Sequence, residues 1–280
     1  MEKRKIFGFV FCTMCLIVQL CIGGPAQKVN AEGTVTTLEA GTTYSLSFSS
    51  SETPHMYFIM PEKGYFYYEI TPTYYTVDGK VFSEGDDLFS FYSLKVEMVV
   101  NTKRYESESV YGGKTETSRK YAFKKGTKVD IFIPESAAFA YGGGSERSLH
   151  YDIKVTVVKP KDFEKENNNS KKAANTVKKG KTYTGLIMLE DTDYYVFKAP
   201  KTGKYKITAT VSSAERDVDD LDAEVWKGTK RLSRTSMRYG KGYKSLWKGK
   251  LKKGQKIYIK FSGPKPLFFN GDLMYKLKIK

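Results

Sequence analysis

Cysteine is confined to one end of this chain. Cys12, Cys15 and Cys21 are its only three, and all fall within the first 31 residues. From residue 32 onward no disulfide, thiolate nucleophile or Cys-ligated zinc can form. A chain without disulfides must be stabilised by its own core, which about 250 residues can supply as one or two domains. Histidine is nearly as scarce. His55 and His150 are the only two, and neither stands in an HExxH, a GxSxG or another recognisable catalytic setting. Paired carboxylates exist by number alone and decide nothing. These absences favour a protein that binds over an enzyme. The C-terminal end, "YKLKIK", carries no sortase-type Leu-Pro motif and no hydrophobic tail, so attachment to a cell wall is expected to be non-covalent.

Lys3, Arg4 and Lys5 precede an apolar run from Ile6 to Ile22, and Val29-Asn30-Ala31 offers small residues for cleavage. This is a secretory signal peptide, 1–31, with an uncleaved anchor as the alternative. Lipidation of Cys21 is disfavoured, because Leu20 stands where a small residue is wanted. The expected location is extracellular, either released or held at the wall, and the cysteine-free style suggests a Gram-positive bacterium.

The formal charge is +16, unevenly spread. Residues 32–158 hold 13 basic and 17 acidic residues, whereas 159–280 hold 30 and 13. A neutral half joined to a cationic half implies an anionic partner for the latter. A solubilising surface that blunts strand edges is the alternative.

An internal repeat organises the chain. At an offset of 139 residues, Thr37, Gly41, Thr43, Tyr44, Phe58, Pro61 and Gly64 match Thr176, Gly180, Thr182, Tyr183, Phe197, Pro200 and Gly203. Two further blocks follow in order: "FKKGTKVDIFI" (123–133) with "LKKGQKIYIKF" (251–261), and "LHYDIKV" (149–155) with "LMYKLKI" (273–279). Such an ordered repeat predicts two homologous domains, 32–158 and 175–280. The polar, Asn-rich stretch 159–174 reads as a linker. Apolar residues alternate, as in "GKYKITATV" and "QKIYIKF", which is the pattern of strands with one buried face. The fold class is therefore all-β: two tandem antiparallel β-sandwich, jelly-roll-like domains after a signal peptide. Tyr195 and Phe197 are expected to pack in one strand of a hairpin that turns at Pro200 and Gly203 and returns through Tyr205 and Ile207.

These motifs resemble the bacterial pre-peptidase C-terminal domain family. The likeness lies in "NTVKKGKTYTGLI" (175–187), "DTDYYVFKAPKTGKYKI" (191–207), "DLDAEVWKGTK" (220–230), "LKKGQKIYIKFSG" (251–263) and "YKLKI" (275–279). The first copy is divergent: Pro54 stands in place of Asp193, and "SLKVEMV" (93–99) in place of "DLDAEVW". The resemblance implies a secreted, non-catalytic sandwich of the kind appended to extracellular hydrolases, where it aids secretion, retention or substrate binding.

Two constellations are candidates for sites. Asp191, Asp193, Asp217, Asp219, Asp220 and Asp222 could supply the six to eight oxygens that calcium requires. Asp in turns, capping its own backbone, is the alternative. The acid-free stretch from Val225 to Gly271 offers Lys227, Lys230, Arg231, Arg234, Arg238, Lys241, Lys244 and Lys248, interleaved with Tyr239, Tyr243 and Trp247. Cations with aromatics suit a polyanion or glycan, here an anionic cell-wall polymer or acidic glycan. No nucleic-acid motif is present, and none is expected as a ligand. Docking of another secreted protein, through Tyr65, Tyr67, Tyr74 and Tyr75 of the first domain, is the alternative function.

Overall fold

A computed structural model of the chain describes residues 27–28, 35–49, 53–87, 89, 93–134, 147–188, 191–214, 220–263 and 273–280. The segment 1–31, expected to be a signal peptide, lies outside the described residues except for Gln27–Lys28. The protein is all-β, a pair of sandwiches.

The first sandwich contains β1 (Gln27–Lys28), β2 (Thr36–Leu38), β3 (Thr43–Ser49), β4 (His55–Ile59), β5 (Tyr65–Val77) and β6 (Lys80–Ser83). It continues with β7 (Ser93–Val100), β8 (Lys103–Tyr111), β9 (Glu116–Thr117), β10 (Lys128–Phe132) and β11 (Arg147–Val158). One sheet runs β1-β3-β11-β5-β6 with β9 also on β5, and the other β2-β4-β10-β7-β8. The second sandwich contains β12 (Asn175–Val177), β13 (Thr182–Ile187), β14 (Thr192–Lys198), β15 (Gly203–Ala214) and β16 (Leu221–Lys227). Then come β17 (Lys230–Met237), β18 (Lys244–Leu251), β19 (Lys256–Ser262) and β20 (Leu273–Ile279). Its sheets run β12-β14-β19-β16-β17 and β13-β20-β15-β18. The first order repeats β2-β4-β10-β7-β8, and β13-β20-β15 repeats β3-β11-β5.

Local chemistry accounts for the motifs the two halves share. Between β2 and β3, and again between β12 and β13, the chain turns at a glycine with positive φ, Gly41 at 87° and Gly180 at 83°. Their amides donate to Val155 and Ile279 carbonyls at 2.8 and 2.9 Å. Other residues strain in that conformation. The tyrosine that follows accepts a backbone amide through its hydroxyl, Glu39 N–H to Tyr44 at 3.1 Å and Lys178 N–H to Tyr183 at 2.9 Å.

The stretch 192–214 departs from the expected hairpin. β14 pairs with β12 and β19, while β15 pairs with β18 and β20. The turn at Pro200 therefore carries the chain from one sheet to the other. The same crossing joins β4 to β5. Phe197 and Tyr205 meet in the core between the two sheets, ring centroids 5.1 Å apart and edge to face. Each sandwich fills its interior this way, with Phe48, Phe58, Phe66 and Tyr151 in the first and Tyr195, Phe197, Phe261 and Tyr275 in the second.

Residues 159–174 are not a loose tether. Phe163 bridges Thr184 in parallel fashion, and Asp162 and Glu164 exchange backbone hydrogen bonds with Thr184, so this stretch covers the open edge of β13. Phe163, Glu164, Glu166 and Asn168 are all buried. Phe163 also joins Ala122, Leu186, Tyr65, Met188 and Met274 in an apolar cluster between the sandwiches, its ring 6.0 Å from that of Tyr65. Phe163→Ala is expected to cost about 3–5 kcal/mol, the usual loss for an emptied aromatic site, and to split thermal unfolding into two transitions. Calorimetry that shows an unchanged single transition would refute this role.

Candidate cation centre and the basic surface

The second sandwich encloses a cluster of acids. In 164–168 burial alternates, so Glu164, Glu166 and Asn168 point inward while Lys165 and Asn167 point to solvent. Beside them the start of β14 directs Asp193 into the core, where it is wholly buried, and Asp191 is buried just before it. Glu164, Glu166 and Asp193 each offer a carboxylate oxygen, and these lie within 4.8 Å of one another.

Part of the cluster is satisfied by protein. Glu164 accepts the Leu186 amide at 2.6 Å on one oxygen, and the Tyr195 hydroxyl at 3.0 Å and Asn168 side-chain amide at 3.1 Å on the other. The Tyr275 hydroxyl stands 2.5 Å from Asp193 and 3.2 Å from Glu164. Gly185 makes room for this network, because a Cβ there would lie 2.3 Å from the Tyr275 ring and 2.8 Å from Glu164. Four buried oxygens remain without a protein donor: Glu166 Oε1, Asn168 Oδ1, Asp191 Oδ2 and Asp193 Oδ1.

Burial pushes Glu164 up to about 7, and burial together with repulsion from Glu164 and Asp191 pushes Glu166 up to about 10. Asp191 is raised chiefly by desolvation, and Asp193 well above the carboxylate range by desolvation and then by the neighbouring acids. Several buried carboxylates cannot share such a site as bare anions. They either keep protons or surround a cation. Orphaned oxygens, carboxylates and a side-chain carbonyl make a hard, all-oxygen donor set, which fits calcium.

The structure thus separates the predicted metal residues. Asp193 joins the cluster, and Asp191 is buried beside it. Asp217 and Asp219 lie outside the described residues. Asp220 and Asp222 are elsewhere, ion-paired with Arg238 at 2.5 Å and Arg234 at 2.6 Å. The correction comes from strand pairing: β16 lies beside β17, so the acids of one meet the arginines of the other. Glu164, Glu166 and Asn168, absent from the sequence-based set, carried a signal in the alternating "EKEN" of 164–167 and Asn168, obscured because the stretch reads as polar linker.

The basic stretch is likewise divided. Arg231, Arg234 and Arg238 pair with Glu224, Asp222 and Asp220, so their charge is locally balanced. Lys227 and Lys230 flank the β16–β17 turn and are exposed, as is Lys241. Tyr239 and Tyr243 are exposed. Lys244 donates to the Ser236 carbonyl at 2.9 Å. Trp247 is turned toward the core and lies over Gly249, which removes it from a stacking platform. Lys248 belongs to the other sheet. These residues are thus divided between the two sheets.

Neither histidine is set in a comparable cluster. His55 bonds Asp130 at 2.8 Å, and Asp130 also pairs with Lys128. His150 stacks on Tyr74 with centroids 4.0 Å apart, 3.3 Å from Ser148, on an outer sheet face. A cavity of about 280 Å³ in the first sandwich lies elsewhere, lined by Tyr68, Glu106, Glu108 and Arg119 among others.

No protein-family model and no curated protein matches the chain. Among solved structures, the pre-peptidase C-terminal domain of the collagenase from Bacillus anthracis aligns at 18% identity. The alignment spans 38% of this chain and 94% of that one, with a TM-score of 0.30. Tripeptidyl peptidase 2 aligns at 9% identity over 89% of this chain and 24% of its own, TM-score 0.32. The M60 catalytic domain with CBM51-1 and CBM51-2 from Clostridium perfringens ZmpB aligns at 8% over 85% and 34%, TM-score 0.26. This chain spans about a third or less of the latter two. The collagenase domain bears the family name that the motifs of 175–280 resemble, and at these scores none of the three assigns a function.

Proposed function

We propose that this chain is a secreted, non-catalytic binding protein whose second sandwich is braced by a buried calcium ion and binds an anionic cell-wall polymer or glycan. The carrying observation is the closed carboxylate cluster of Glu164, Glu166 and Asp193, with Asp191 buried beside it and four oxygens, Asn168 Oδ1 among them, left without donors. A group sealed from solvent cannot meet a substrate, so these acids suit a structural ion better than acid–base catalysis. The ion would tie residues 164–168 to β14, holding the covering segment on the sheet edge. The excess of basic over acidic residues in 159–280 supports the choice of a polyanion, and it favours retention at a cell surface by charge.

The protein-partner reading draws on the tyrosines of the first sandwich. Three of the four are already engaged within the chain: Tyr65 against Phe163, Tyr74 on His150, and Tyr75 on Phe82 at 4.8 Å. That leaves little aromatic surface for a partner.

Calorimetric titration of chelator-treated protein with calcium is the test. One site per chain is expected, lost in Glu166→Gln and in Asp193→Asn but kept in Asp222→Asn. No heat of binding, or equal loss in Asp222→Asn, would sink the cation reading.

A further inference from the structure

The sheet β13-β20-β15-β18 carries no aspartate or glutamate in any of its four strands. Its outward positions instead hold Lys204 and Lys206 from β15, Lys248 and Lys250 from β18, and Lys276 and Lys278 from β20. Five of these are exposed and Lys278 is half-buried. Among the described residues none of the six ammonium groups forms an ion pair, in contrast to the arginines on the other sheet.

The register makes this concentration costly to the fold. Lys204 stands directly opposite Lys250, and Lys206 opposite Lys248. Like charges at facing positions oppose strand pairing, and no carboxylate relieves them. Farther along, Lys278 lies between Thr182 and Thr208, and Lys276 between Thr184 and Thr210. The face then ends in Leu186 and Met274, which are paired with each other and packed into the cluster against the first sandwich. One end is thus closed by an apolar joint, and the rest is a cationic plane.

We infer that this lysine face is the binding surface for a linear polymer of phosphodiesters. The inference rests on the reading of the second sandwich as a binding module and names its surface and ligand. Charges recur about 6.6–6.8 Å apart along a strand and about 4.8 Å apart between strands, a lattice that an extended chain of regularly spaced anions can follow. The cations are all lysines, compact point charges that bind phosphate without demanding a planar, bidentate partner. An anionic membrane would instead favour exposed apolar side chains that enter the interface, and on this face Leu186 and Met274 are taken up by the first sandwich.

The test compares three forms of the full protein: unaltered, Lys206→Gln/Lys248→Gln/Lys250→Gln/Lys276→Gln, and Arg231→Gln/Arg234→Gln/Arg238→Gln. Each is titrated with a synthetic glycerol-phosphate oligomer, with polyglutamate, and with vesicles containing anionic lipid, across a salt series. The unaltered protein is expected to prefer the oligomer and to lose affinity as salt rises. The lysine variant should bind at least tenfold more weakly with a flatter salt dependence, should melt no lower, and should keep its calcium titration. The arginine variant should bind like the unaltered protein. Equal affinity for polyglutamate, preference for vesicles, or loss in the arginine variant alone would overturn the inference. Intact calcium binding with no oligomer binding would overturn it while leaving the cation centre standing.

Discussion

Calcium added to chelator-treated protein is expected to raise the melting temperature of the second sandwich by roughly 10–20 °C at about a hundredfold excess over its dissociation constant. Saturation of that order contributes about 2.7 kcal/mol, and in a domain of about 100 residues each kcal/mol moves the midpoint by about 4–8 °C. The effect must grow with pH. In the unfolded chain the acids ionise near the ordinary 4.5, whereas folding holds Glu164 to about 7 and Glu166 to about 10. Between those limits the cation-free folded state binds more protons than the unfolded state, so its stability is greatest below about 4.5 and falls as pH rises through the window. A bound cation replaces those protons and removes the slope. Scanning calorimetry at pH 5 and pH 8, with calcium and with chelator, measures all four corners. A calcium shift as large at pH 5 as at pH 8 would mean the carboxylates are not where the ion binds.

Gly185→Ala is expected to be among the most damaging single-methyl additions in the second sandwich. The new Cβ would stand 2.3 Å from the ring and hydroxyl of Tyr275 and 2.8 Å from a Glu164 oxygen. Tyr275 is wholly buried and edge-on to Tyr195, so it has no space into which to retreat. Overpacking of this kind costs about 1–3 kcal/mol, and displacing Glu164 should weaken calcium binding at least tenfold. Gly249→Ala is the matched control. Its Cβ would meet the Trp247 ring at 2.3 Å, but that ring is only half-buried on an edge strand and can swing outward. Denaturant melts and calcium titrations of both variants separate the cases: similar losses in both would show that strand glycines are interchangeable here and that the Glu164–Tyr275 network is not the reason for Gly185.

Much of the architecture is legible in the sequence because strand patterns are local. Alternation in "KYKITATV" and "KIYIKF" marks which residues face inward, and the glycine of each shared turn is required by the backbone angle at that position. Sheet membership is not local. The segment from Tyr195 to Ile207 has the pattern of a hairpin, yet its halves join different sheets, since alternation records that a face is buried but not which layer buries it. The cation centre divides in the same way. Asp191 and Asp193 stand out as a pair on one strand, while Glu164, Glu166 and Asn168 look like solvated linker until that linker is laid along β13. The basic surface shows the tertiary decision most plainly. Residues 225–271 form an unbroken acid-free stretch in sequence, but pairing of β16 with β17 balances its arginines against Asp220, Asp222 and Glu224. The six lysines of the β13-β20-β15-β18 face, which form no ion pair among the described residues, come from three strands distant in the chain. Sequence alone determined the strands, the excess charge and the absence of cysteine chemistry. Only the fold decided which charges are balanced and which acids are buried together, because both depend on contacts between residues far apart along the chain.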